Sequence, residues 1–160
     1  MDIRTTLHWP VPPADVVAAR CDPAYLETLC RRTGAVDHSV EVDGLRTVVR
    51  RVMPTDRFPD FARKMTGERI TLVETTTWRA EADPDGARRA DTAMHVEGAP
   101  VTSATSTVVR PEGDGAVEQV TGQVTAKVPL VGGRIEKAVL PALDAALEAQ
   151  VDAYEQWRGR

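Results

Sequence analysis

KVPLVGGRIEKAV, residues 127–139, carries two incompatible periodicities across a pair of glycines. Before Gly132 the chain alternates like a strand, and after Gly133 its apolar residues recur as on a helix. A glycine-rich turn that opens a helix can hold a phosphate, but such a loop needs a lysine followed by Ser or Thr, and Arg134 and Ile135 stand there instead. The turn therefore reads as a hinge that returns a helix onto a sheet, its glycines supplying backbone freedom. With Gly133 as N-cap, Glu136 either caps the helix or presents a carboxylate at the mouth of a cavity that the helix covers.

Downstream of the hinge the pattern predicts one helix over 134–157, roughly 36 Å long and able to cross a whole sheet. Ile135, Val139, Leu143, Ala146, Leu147, Tyr154 and Trp157 fall on one face, and Asp144, Glu148, Asp152 and Glu155 on the other. Gln150 lies in the middle of the apolar face, where a buried amide needs a partner. Pro141 removes the bond to the carbonyl of Lys137, and because the apolar stripe continues across it a kink is expected rather than a break.

Upstream, turn signals at Asp43-Gly44, 83–86, 97–100 and 111–115 divide the chain into an antiparallel meander with strands at 69–82, 87–97, 101–110 and 116–129. A strand at 3–9 precedes two short helices, the second capped by Asp22-Pro23. Alternation places Val120, Gly122, Val124, Ala126 and Val128 on one face of the last strand. The same period aligns Ile70, Leu72, Glu74, Thr76 and Trp78, and Ala90, Thr92, Met94 and Val96. These inner faces are small, so a long helix above them either docks tightly on a solid core or leaves a space for a ligand. The expected pocket is bounded by Ile70, Leu72, Trp78, Met94, Gly122, Val124, Ala126, Leu143 and Leu147, with Glu74, Gln150 and Tyr154 as its polar points.

Both phenylalanines of the chain, Phe58 and Phe61, sit in the connection before 69–82. With Met65 they take the spacing of a single helical face. They form either a satellite cluster sealing the sheet edge or a hinged lid, with Gly67 as one hinge.

The order of elements resembles the START-like (SRPBCC, helix-grip) superfamily across the whole chain, most specifically in KVPLVGGRIEKAV. FPDFARKMTGERI and CDPAYL are also similar to a largely uncharacterised actinobacterial family within it. The resemblance implies an α+β helix-grip fold: a curved antiparallel sheet of about seven strands wrapped around the C-terminal helix, as one domain over 1–160. It also implies an apolar cavity, in a superfamily whose members bind lipids, sterols, polyketides or quinones and include cyclases and oxygenase subunits.

The net charge of −4, and the scatter of pairs such as Arg31-Arg32, Arg50-Arg51 and Arg88-Arg89, argue against a nucleic-acid partner and for solvated faces. No apolar run spans a bilayer, so no stable membrane insertion is expected. MDIRTTLHW lacks the order of a signal peptide, and Cys21 and Cys30 read as buried thiols, so a cytoplasmic location is expected. His8, His38 and His95 have no ligand spacing, so neither metal nor cofactor is expected. No nucleophile is paired with a base, and catalytic residues stay unassigned. Three functions follow in order: binding an apolar or amphipathic small molecule, a cyclase or dehydratase-type enzyme, and a protein-interaction module with a solid core. Oligomeric state leaves no trace in the sequence.

Overall fold

The computed structural model describes residues 1–159. Its strands are β1 (Asp2–Trp9), β2 (Asp37–Asp43), β3 (Arg46–Pro54), β4 (Arg69–Trp78), β5 (Arg88–Val96), β6 (Val101–Glu112) and β7 (Gly115–Ala126). Helices α1 (Pro13–Arg20) and α2 (Pro23–Arg32) follow β1, α3 (Asp60–Thr66) joins β3 to β4, and α4 (Gly132–Arg158) closes the chain. The strands form one antiparallel sheet in the order β1-β7-β6-β5-β4-β3-β2. The meander thus runs from β2 to β7, and β1 extends it on the β7 side.

Local chemistry explains most boundaries. The Asp22 side chain accepts from the N–H groups of Ala24 and Tyr25, with Pro23 at the first helical position, so α2 starts where the sequence places it. Gly44 takes φ 59° in the β2–β3 hairpin, a left-handed value that glycine adopts without strain. β4 ends at Trp78, not residue 82: Arg79 adds one more bond to Arg89, and the chain then turns toward β5 where Asp83 donates to Ala87 and Gly86 to Asp83.

The hinge differs from the expectation in three ways. α4 begins at Gly132, with Val131 as an N-cap that makes no side-chain bond. The left-handed residue is Leu130, at φ 70° and fully exposed. Gly132 serves close approach, since a Cβ there would collide with the carbonyl oxygen of Ala126, whereas Gly133 faces open space. Glu136 caps the sheet rather than the helix. Its Oε1 accepts from the Ala126 N–H at 3.0 Å, and its Oε2 lies 3.5 Å from the N-terminal ammonium. The Ala126 hydrogen bond, aided by that positive charge, holds the Glu136 carboxyl below the usual range. α4 runs unbroken through Pro141 for 27 residues, so the short-helix-and-restart alternative is not what the chain adopts.

Two apolar clusters fill the space between sheet and helices. One gathers Leu7, Trp9, Tyr25, Trp78, Val109 and Tyr154 under α1, α2 and the end of α4. The other gathers Ile3, Ile70, Met94, Val96, Val101, Val124 and Ile135 under the start of α4. The first contains a buried ion pair. Glu118, fully enclosed, accepts from Arg20 Nη1 at 2.6 Å and from Trp9 Nε1 at 2.7 Å, tying α1 and β1 to β7. The Arg20 guanidinium also lies 5.3 Å from the centroid of the Trp78 ring.

Arg20→Met should cost about 3–5 kcal/mol, because it strands the Glu118 carboxylate in the core. The double variant Arg20→Met/Glu118→Leu should recover most of that loss, since an apolar pair of similar volume removes the uncompensated charge. Urea unfolding midpoints of the parent and the two variants measure both effects.

Candidate functional site

Strand register places a row of small polar residues in the middle of the inner face. Thr47, Thr76, Thr92, Thr105 and Gly122 are cross-strand partners in sequence across β3, β4, β5, β6 and β7. On one side the next inward row is Trp78, Ala90, Thr107 and Val120; on the other it is Glu74, Met94, Ser103 and Val124. The row therefore divides the two clusters. Thr76 and Thr92 share a hydrogen bond of 2.9 Å between their hydroxyls. Thr92 and Thr105 are only half-buried, although neighbours one row away are closed off: Val120 is 2 % exposed, Met94 4 % and Val124 0 %. Thr92 and Thr105 are thus less closed off than the residues beside them.

α4 crosses this row. Leu147 packs against both clusters, and it stays half-buried, as do Leu140, Leu143 and Ala146. One turn further, Gln150 is 6 % exposed and its Oε1 has no hydrogen-bond partner. Its backbone carbonyl accepts from the Tyr25 hydroxyl at 2.9 Å, which fixes the helix against α2. Burial raises the Tyr25 hydroxyl far above its ordinary range, so it remains a donor.

Glu74 is half-buried on the inner face, and Arg51 of β3 answers its charge at 3.4 Å. The solvated reading of Arg50-Arg51 holds only for Arg50, which pairs with Glu97 on the outer face. Arg51 points inward, is 8 % exposed, and its Nε has no partner. Strand alternation carried that signal, since Arg51 pairs in register with Leu72.

At the other end a small apolar pocket of about 40 Å³ lies between α3, the ends of β4 to β6 and the first turns of α4. Phe58, Ala62, Thr66, Ile70, Val96, Val101, Ile135 and Val139 line it. Of the expected pocket residues, Ile70 lines this cavity, while Met94, Val124 and Ala126 are buried in the cluster beside it. Leu72, Leu143 and Leu147 pack against that cluster from the half-buried seam, and Trp78 and Tyr154 belong to the other cluster. Tyr154 sits edge-on to Trp9 with centroids 5.8 Å apart, as part of the packing. Gly122 is not a spacer that a larger side chain could fill, because a Cβ there would strike the Ala104 carbonyl of β6.

The lid face also differs from the expectation. Phe58 precedes α3, and the residues of this segment that line the cavity are Phe58, Ala62 and Thr66. Phe61 packs half-buried, with the Arg134 guanidinium of α4 4.3 Å from its ring centroid. Met65 is 51 % exposed and takes no part.

Among the described residues no cluster of His, Cys, Asp or Glu could hold a metal, and no helix is long and apolar enough to cross a membrane.

Residues 4–157 match the family described as "Protein of unknown function (DUF2505)", and the chain belongs to that family. Among curated proteins nothing matches. Among solved structures, the chain is similar to TTHA0849 from Thermus thermophilus, with TM-score 0.64 and 21 % identity over 98 % of this chain and 96 % of that one. It is also similar to the STAR-related lipid transfer protein from Xanthomonas axonopodis, with TM-score 0.59 and 13 % identity over 94 % and 85 %. A third is the Zhui aromatase/cyclase from Streptomyces sp. R1128, with TM-score 0.58 and 13 % identity over 100 % and 96 %. At these identities the likeness is one of fold, and the fold is the START-like helix grip.

Proposed function

We propose that the protein binds an apolar or amphipathic small molecule, of lipid, polyketide or isoprenoid type, between the sheet and α4. One observation carries this reading. Leu72, Glu74, Thr92 and Thr105 on the sheet and Leu143 and Leu147 on the helix all face the interior, yet all remain half-buried. Interiors normally pack to crystal density, so facing apolar surfaces that are not closed on each other are kept for something else. The apolar pocket of about 40 Å³ is far below the roughly 300–1,000 Å³ of a small-molecule site. Binding therefore requires the seam to widen, and the segment that opens is α3 with the Phe58 that precedes it, which line the small pocket. The lipid-transfer and aromatase/cyclase structures of this fold are consistent with that use of the seam. Free Cys21 and Cys30 suit a protein that works in the cytoplasm.

Native mass spectrometry of freshly purified protein should show a bound mass that solvent extraction removes. The stripped protein should bind 1-anilinonaphthalene-8-sulfonate, and Leu147→Glu should lower that affinity at least tenfold, because it charges the seam. Absence of both co-purified ligand and dye binding would leave a solid-cored interaction module as the better account. Phe58→Ala and Phe61→Ala should speed dye release several-fold while costing less than about 2 kcal/mol of stability, since both side chains are half-buried. A loss of about 3–5 kcal/mol in denaturant melts, the cost of an emptied core site, would show a fixed cluster rather than a lid.

A further inference from the structure

We infer that the threonine row is the polar subsite of this seam, and that the ligand carries a hydroxyl part-way along its apolar body. This rests on the small-molecule reading above and adds to it the chemistry of the ligand. The row alone would be a stripe of small residues. Two buried groups beside it point to an occupant. Gln150 is at the centre of the inward stripe of α4, and its Oε1 is an acceptor without a donor. Trp78 is the next inward residue after Thr76 on β4, is 3 % exposed, and its Nε1 is a donor without an acceptor. Such groups leave water at a cost when unpaired, which a partner in the seam recovers.

The two orphans are of opposite sense, and this narrows the partner. A ketone or carboxylate oxygen only accepts and leaves Gln150 Oε1 unanswered. An ammonium only donates and leaves Trp78 unanswered. A hydroxyl both donates and accepts, so it can donate to Gln150 Oε1 and accept from Trp78 Nε1. The half-buried hydroxyls of Thr92 and Thr105 extend the same capacity across the floor. Apolar clusters on both sides of the row mean that the hydroxyl is flanked by hydrocarbon in both directions, rather than standing at one end of the ligand.

A matched pair of probes tests this. Stearic acid and 12-hydroxystearic acid share a chain and a carboxylate, and differ by one mid-chain hydroxyl. In displacement of bound 1-anilinonaphthalene-8-sulfonate the parent protein should prefer the hydroxylated acid by about tenfold. Thr105→Val and Gln150→Leu should each lose most of the preference, read as the ratio of the two acids' affinities for the same variant. Thr105→Ser, which keeps the hydroxyl, should retain it. Equal binding of the two acids by the parent, or a preference unchanged in both Thr105→Val and Gln150→Leu, overturns the hydroxyl subsite and leaves the small-molecule reading standing. If neither acid displaces the dye and no dye binds, both readings fall.

Discussion

Leu147 is the side chain on which the two halves of the interior meet. The sheet presents apolar residues at its ends and a row of threonines in its middle, so α4 cannot rest on a continuous apolar floor. It must bridge from one cluster to the other, and Leu147 makes that bridge while staying half-buried itself. The consequence is a helix anchored at both ends, with the inward side chains between the anchors only half-buried. A solid core would have placed Val or Leu where Thr92 and Thr105 stand, since hydroxyls give less on burial than methyl groups.

The two anchors differ in kind. At the C-terminal end of α4 the contacts are directional: Tyr25 donates to the Gln150 carbonyl, Trp9 packs on Tyr154, and the enclosed Glu118 joins β7 to α1 and β1. Such bonds tolerate little displacement, because each leaves a buried polar group if broken. At the N-terminal end the helix rests on apolar contacts and on the exposed stacking of Arg134 over Phe61. Apolar contacts can slide at small cost, so the proposed opening belongs at the α3 end. Glu136 limits the motion by holding the first turn of α4 to the end of β7.

The fold was legible in the sequence because turn chemistry and periodicity agreed at every level. Asp43-Gly44, Asp22-Pro23 and the change of period at residues 132–133 each marked a boundary that the structure keeps to within a few residues. Details of the hinge were hidden. Whether Gly132 bends the chain or clears a carbonyl depends on Ala126, which the helix meets only after folding. The alignment of four threonines required register, and register is set by pairing across strands rather than by any one strand. Gln150 was visible as a polar break in an apolar stripe; that its oxygen lacks a partner is a property of the assembled interior.

The central claim is that the middle of the interior, above the threonine row, is where a molecule sits. Intermolecular nuclear Overhauser effects between a bound aliphatic probe and methyl-labelled protein test it directly. Cross-peaks are expected from the probe to the methyl groups of Thr92, Thr105 and Leu147. Cross-peaks confined to Val96, Val139 and Ile135 around the small apolar cavity, with none to the threonine methyls, would contradict it.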